Sequence, residues 1–331
     1  MLARARLSFD PAKPFPPFPG WARIRAAPEA IGEAGFFAGA ALAALYPVAR
    51  DEHALGKLWR QRLALANSAI LARHAGRSED EAALRDAFYL RRAGDDPGPA
   101  GNIFVTWRKL GEPDALKFGD WSLALAEVFG LRIDGAFKDL IEVAAKLSKG
   151  EGCAVAGAAE IAAISVRLRA DQEALALWLA DAVLAARLKW PAPVPLLAGP
   201  FLSRSALRAA PQYGRDAGAW LSACCLAYAR AAAQAVDLHA DLARRARKLI
   251  AAAPKLRGKA ADGMIARYLS EDAHAAAGAK TTSERSARRL LERLKTLGVV
   301  RELTGRPTFR LYNLRHGAAK KKYAGIRHRA G

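Results

Sequence analysis

Arg285, Arg288 and Arg289 follow Ser283 in a segment whose apolar positions, Ala287, Leu290, Leu291, Leu294 and Leu297, recur at helical spacing. On a helix the apolar set forms one buried stripe, and the arginines occupy the turns facing away from it. Thr281-Thr282-Ser283-Glu284 is a capping box that starts this helix, so the arginines fall in its N-terminal half. Guanidinium groups there suit bidentate hydrogen bonds to guanine O6 and N7 in a DNA major groove. The free N–H groups at 282–285 and the helix dipole suit a phosphate. The same arginines would also serve as an ordinary solvated face. The surrounding elements favour the nucleic-acid reading.

Those elements have the order of a winged helix-turn-helix over residues 258–314. Short helices are expected at 260–269 and 271–277, and a third at 283–297 that stops at Gly298. Val299-Val300-Arg301-Glu302 then leads to a turn at Thr304-Gly305-Arg306-Pro307 and to Thr308-Phe309-Arg310-Leu311-Tyr312, a β-hairpin signature. Arg306 would stand at the wing tip, and Arg301 and Arg310 on its strands would reach a phosphate backbone. Val299, Phe309 and Leu311 read as wing packing, and Tyr312 fits either packing or stacking. Beyond the wing, residues 315–331 form a flexible basic tail. Its Lys320, Lys321 and Lys322 suit sequence-independent phosphate contact.

The charge distribution agrees. The 331-residue chain carries 52 Lys and Arg against 32 Asp and Glu, a net +20. From Asp241 onward there are 23 basic and 7 acidic residues, a net +16, which leaves +4 on everything before. A near-neutral body with a basic C-terminal quarter is the outline of a polyanion binder. With 52% hydrophobic residues the chain is not of disordered composition.

The body reads as all-α. An extended Pro-rich arm covers 1–19, and a multi-helix bundle covers 20–253. Helices are expected from Pro28 to Tyr46, from an N-cap at Asp51 to His74, and after a capping box Ser78-Glu79-Asp80-Glu81. Gly94 to Gly101 reads as a loop, followed by helices near 102–110, 115–129, 134–148, 154–169 and 171–188. Trp190 to Pro200 crosses between elements, and a long helix runs from Asp216 to Ala252. No strand is expected before residue 298. The tryptophans read as packing anchors, His53, His74 and His239 as helix-surface residues, and Cys224 and Cys225 as small core residues. The longest charge-free apolar stretch, Ala34 to Ala49, has 16 residues with Gly39 and Pro47 in it. A spanning helix needs about 20. No signal peptide, no membrane partner and a cytoplasmic location are therefore expected.

The body offers one set of residues for catalysis or cation binding: Glu79, Asp80, Glu81, Arg85, Asp86, Asp95, Asp96 and Arg108. Clustered carboxylates suit hard cations. The set lacks regular ligand spacing, however, and the chain lacks HExxH, GxxxxGK[ST] and GxSxG. A capped helix and a rigid turn explain these residues as well. No cofactor, no metal and no catalytic residue are expected.

The residues from Ser283-Glu284-Arg285-Ser286-Ala287-Arg288-Arg289-Leu290 through Leu297-Gly298-Val299-Val300-Arg301-Glu302-Leu303-Thr304-Gly305-Arg306 to Arg310-Leu311-Tyr312 resemble the winged-helix tail of Fic-type bacterial proteins. The likeness stops there, because none of the six histidines is followed by the Pro-Phe that Fic catalysis requires. The whole chain is similar to an uncharacterised bacterial family, domain of unknown function 1403. The similarity rests on Pro19-Gly20-Trp21-Ala22-Arg23, on Glu79 to Ala87, on Gly94 to Gly101 with Trp107-Arg108, and on Leu177-Trp178-Leu179-Ala180-Asp181. It implies the architecture and leaves the activity open. The reading that follows is a DNA-binding protein of regulator type, with duplex DNA as partner and a homodimer through the helical body. The alternatives are a scaffold whose winged helix binds protein, or an enzyme in the body.

Overall fold

The alanine- and leucine-rich body folds as its periodicity implies, and the helix Ala261–Ser270 and the strand Leu311–Leu314 pack against it. The computed structural model describes residues 16–26, 30–50, 52, 54–92, 94–117, 126, 130–168, 173–202, 216–256, 261–275, 284–306 and 310–314. Within them lie eleven α-helices: α1 (Ile31–Ala49), α2 (Ala54–His74), α3 (Glu81–Tyr89), α4 (Gly98–Leu110), α5 (Gly135–Ser148), α6 (Ala154–Leu168), α7 (Glu173–Arg187), α8 (Ala198–Leu202), α9 (Ala217–Ala252), α10 (Ala261–Ser270) and α11 (Glu284–Thr296). Three short strands, β1 (His274–Ala275), β2 (Val300–Glu302) and β3 (Leu311–Leu314), form an antiparallel sheet in the order β1-β3-β2. The chain is thus mainly α with a small sheet near its C-terminus.

Aspartates set three helix starts. The carboxylates of Asp80, Asp134 and Asp216 accept from the backbone N–H of Ala83, Phe137 and Ala219 at 2.9, 2.9 and 2.8 Å. The cap of α3 is therefore Asp80 rather than Ser78. The loop before α4 is also shorter than expected. Asp96 accepts from Gly98 N at 2.9 Å and from Asn102 Nδ2 at 3.1 Å, which starts the helix four residues early. Gly101 makes this possible, because a Cβ there would lie 2.5 Å from Pro97 Cβ.

Helix α7 is buried without interruption from Leu175 to Ala185 and forms the centre of the body. Helix α1 lays Ala34, Ala38, Ala41, Leu42 and Leu45 along α9. By length and composition α1 could cross a membrane, and 33% of its apolar window is buried within the protein. Indole N–H groups tie the layers together. Trp59 donates to Ala235 O at 2.8 Å, and Trp220 to Ala159 O at 2.8 Å. Trp107, Trp178 and Trp190 are also buried. Trp21 departs from the expectation: it is 67% exposed and packs at the surface beside Phe36. His239 departs as well, since it is fully buried with its ring edge-on to Trp59. The arm's described end is held by Phe18, which is buried under the Arg23 guanidinium. Arg23 in turn donates to Asp237 at 2.6 Å.

The crossing segment 190–197 is fixed by a carboxylate in the core. Asp181 is 1% exposed, and its Oδ2 accepts from Leu196 N at 2.8 Å and Leu197 N at 3.2 Å. Burial raises its pKa to about 7 against the opposing pull of these donors.

The C-terminal elements share one apolar core with the body, for Leu290, Leu291, Leu294, Val300, Tyr312 and Leu314 are continuous with α2, α9 and α10. The segment 271–277, expected as helix, holds β1 instead. Helix α10 ends at Ser270, and His274 turns its Nε2 to Arg267 O at 2.8 Å. The chain then pairs His274 with Tyr312 and Ala275 with Leu311. Cross-strand pairing outweighs local alanine propensity here, so a strand does occur before residue 298. Residues 307–309 of the expected hairpin lie outside the described residues. The hairpin closes through Leu303 N to Leu311 O at 2.8 Å, and Arg301 faces Asn313 across the ladder. Tyr312 is 3% exposed and belongs to the core.

A dry polar seam joins the two parts. Arg62 on α2 pairs with Asp272, whose side chain is fully buried, in the gap between α10 and β1. Gln61 clamps the same gap, accepting from Asp272 N at 3.0 Å and donating to Ser270 O at 3.3 Å. The Asn313 amide oxygen, turned toward Arg62, accepts from Nη2 at 2.8 Å, and its nitrogen donates to Leu314 O at 3.1 Å.

Two consequences are measurable by urea unfolding. Asp272→Ala leaves Arg62 buried without its carboxylate and costs about 3–5 kcal/mol, while Arg62→Met with Asp272→Leu recovers most of that loss. The native Asp181 binds its proton up to about pH 7, whereas an unfolded aspartate, at 3.8, has already released it. Stability contributed at this site therefore falls as pH rises from 4 to 7, by up to about 1.4 kcal/mol per unit, and is level above. Asp181→Asn flattens that slope.

A candidate nucleic-acid interface

The stripe on α11 forms as its spacing implies. Ala287, Leu290, Leu291 and Leu294 are buried against the body and sheet, and Arg288, Arg289, Glu292 and Arg293 are exposed on the other side. Glu292 is engaged by Lys295 at 3.2 Å within the helix. The outward face is therefore arginine-rich. Ser283, Lys320, Lys321 and Lys322 lie outside the described residues, as does the side chain of Arg285.

The three hairpin arginines part company with that face. Arg301 on β2 is half-buried, and burial is the first cause lowering its pKa, followed by Arg62, Arg85 and Arg245 nearby. Its Nε reaches the Asn313 amide only at 3.4 Å, and only with that amide turned away from Arg62, the better-placed donor. Arg306 leaves the turn to pair with Asp86 on α3 at 3.3 Å. Arg310 folds back, donating to Arg306 O at 2.9 Å and lying 3.6 Å from Glu302. The Tyr312 hydroxyl and the Glu302 charge hold its pKa above the ordinary value. The hairpin arginines are thereby engaged by the protein itself, and α11 presents an outward positive face.

The acidic set in the body does not assemble. Asp95 caps Arg92 N at 3.1 Å, Asp96 caps the start of α4, and Asp86 holds Arg306. Arg108 donates to the Tyr89 hydroxyl at 2.8 Å and lies over the Phe88 ring at 4.6 Å. That contact and burial pull oppositely on Tyr89, and burial prevails, raising its pKa to about 12. No group of three His, Cys, Asp or Glu side chains with metal-binding geometry occurs among the described residues. His74 pairs with Glu173, and the three cysteines are free thiols, with Cys224 and Cys225 in the core.

Sequence reasoning missed Asp272, Arg62 and Arg245. Nothing local marks Asp272, one of 7 acidic residues from Asp241 onward and adjacent to Glu271. Nor does anything local mark Arg62, which reads as one more position on a mixed stripe.

Together, the helical body and the small C-terminal sheet match a family described as protein of unknown function (DUF1403) over residues 6–314. The chain belongs to that family. No curated protein matches it at a significant level.

Proposed function

We propose that the protein binds duplex DNA through a C-terminal winged helix and acts in the cytoplasm as a regulator. The observation that carries this reading is the exposed Arg288, Arg289 and Arg293 face of α11, backed by a buried leucine stripe. The order α10, β1, α11, β2, β3, with β3 central in the sheet, supports the winged-helix assignment. In this reading α11 is the recognition helix. Arg285, Arg288 and Arg289 contact base edges or the phosphates flanking them, Ser283 contacts a phosphate at the helix start, and Lys320, Lys321 and Lys322 follow the backbone. Arg306 and Arg310 reach phosphate from the hairpin once Arg306 exchanges Asp86 for the duplex. Arg301 supports the wing from behind.

We further propose that two copies associate through the outer face of α1. Ile31, Phe36 and Tyr46 are exposed there, with Trp21 beside Phe36. An apolar groove of about 480 Å³ runs between α1, Val155 and Leu188. Exposed apolar area gathered on one helix face marks an association surface.

Fluorescence titration of a labelled duplex at several salt concentrations tests the DNA reading. With about 5–8 phosphates contacted, log K falls against log salt with a slope of roughly −4 to −7. Arg288→Ala with Arg289→Ala weakens binding and lowers discrimination between sequences, whereas absence of binding at low salt rules the reading out. Light scattering tests the dimer. The parent is expected at twice the chain mass and Phe36→Glu at the single-chain mass.

A further inference from the structure

Exposed positive charge continues from α11 onto the helical body. On α9, Arg244 and Lys248 are exposed one turn apart, and Lys255 is exposed in the short 3-10 turn that follows the helix. Positions 244, 248, 251 and 255 succeed one another at steps of four, three and four, so they fall along one helix face. Ala251, the fourth position, is exposed as well. From Asp241 to Lys255 the sequence holds five basic residues and one acidic. That one carboxylate engages Arg244 at 3.0 Å and Arg245 at 2.7 Å. Lys248 and Lys255 form no ion pair among the described residues. A helix dipole favours cations within its last turn. The last turn of α9 holds none, so the dipole does not account for Arg244 and Lys248.

This face adjoins the end of α11. Arg244 and Lys248 line an open hollow of about 160 Å³ together with Gly298 and Val299, which lead from α11 into β2. On α11, Arg289 and Arg293 are exposed one turn apart, and Arg293 lies in the last turn before that link. Glu292 beside it is engaged by Lys295. Among the described residues no large apolar side chain is exposed on α9 or α11. The surface therefore lacks the apolar centre of a protein–protein interface and suits a polyanion.

We propose that the duplex met by α11 continues onto the body, where Arg244, Lys248 and Lys255 contact its phosphates. The proposal rests on the DNA reading of α11 and adds a second element to the interface, one that belongs to the helical body. From Arg244 to Lys255 is roughly 16 Å at a rise of about 1.5 Å per residue, close to the axial length of about five base pairs. Ammonium groups on flexible stems hold phosphates without reading bases. The body is then part of the footprint, and it fixes how the duplex lies across α11.

The test is titration of a labelled duplex with the full chain at several salt concentrations, comparing the parent with Lys248→Ala, Lys255→Ala. Arg244 stays in place, because its pair with Asp241 ties it to the helix. Both lysines are exposed, so the urea midpoint of the variant stays at the parent's. Loss of two phosphate contacts makes the salt slope shallower by about 1.8, and between about 50 and 200 mM salt the parent loses about tenfold more affinity than the variant. The loss is equal for every duplex sequence, unlike that in Arg288→Ala with Arg289→Ala. Lys248→Arg with Lys255→Arg keeps the charge and restores the parental slope. A parental slope in the alanine variant, while Arg288→Ala with Arg289→Ala still weakens binding, overturns the extension and leaves the reading of α11 standing. No binding by the parent at low salt overturns both. A loss that varies with duplex sequence, or no recovery in the arginine variant, contradicts phosphate contact. If poly-glutamate displaces the duplex as well as unlabelled duplex does at equal charge, the face takes acidic protein and the proposal falls.

Discussion

Arg62 and Asp272 meet in a place from which water is excluded, one on the second helix of the body and the other in the gap that launches the C-terminal sheet. An ion pair there is stabilising only while both partners and their further hydrogen bonds are in place. Gln61 and Asn313 provide those bonds. The register of β1 on β3, and with it the position of α11, follows from how the chain leaves Asp272. Moving this pair by one residue would bring a different face of the strand to the core. A buried pair of this kind adds less to net stability than apolar side chains of equal volume would.

That constraint sorts arginines that look alike in sequence. The positive charge of the C-terminal quarter includes an outward part on α11, Arg288, Arg289 and Arg293, and an inward part, Arg301 on β2, which is half-buried opposite Asn313. A third part, Arg306 and Arg310, is spent on Asp86 and Glu302. The net +16 therefore overstates what is offered to an external polyanion. Among the described residues the outward charge lies on one face of α11 and at Arg244, Lys248 and Lys255.

Much of the architecture was legible in the sequence because it rests on local signals. Helix α9 runs from its Asp216 cap to Ala252 as read, α6 and α7 fall within a few residues of their expected bounds, and the stripe is buried at Ala287, Leu290, Leu291 and Leu294 and half-buried at Leu297. The misses share a cause. β1 is two residues long, and its partner strand is distant in sequence, so alanine propensity around it points to helix. His239 has nothing beside it in sequence that predicts Trp59 as a neighbour. The inward turn of Arg301 depends on a cross-strand partner, Asn313, and on three helices that bring their own arginines. Periodicity reports which side of an element is apolar. It carries no information about which charged residue of another element will face the polar side.

The seam at Arg62 and Asp272 joins the basic C-terminal elements to the body. Native-state hydrogen exchange across a urea series measures this most directly. The amides of β3, Leu311 to Leu314, are expected to open with the same free energy and the same urea dependence as the amides in the centre of α2. If the β3 and α11 amides exchange together through a cheaper opening that leaves α2 protected, the seam does not hold the two parts as one unit.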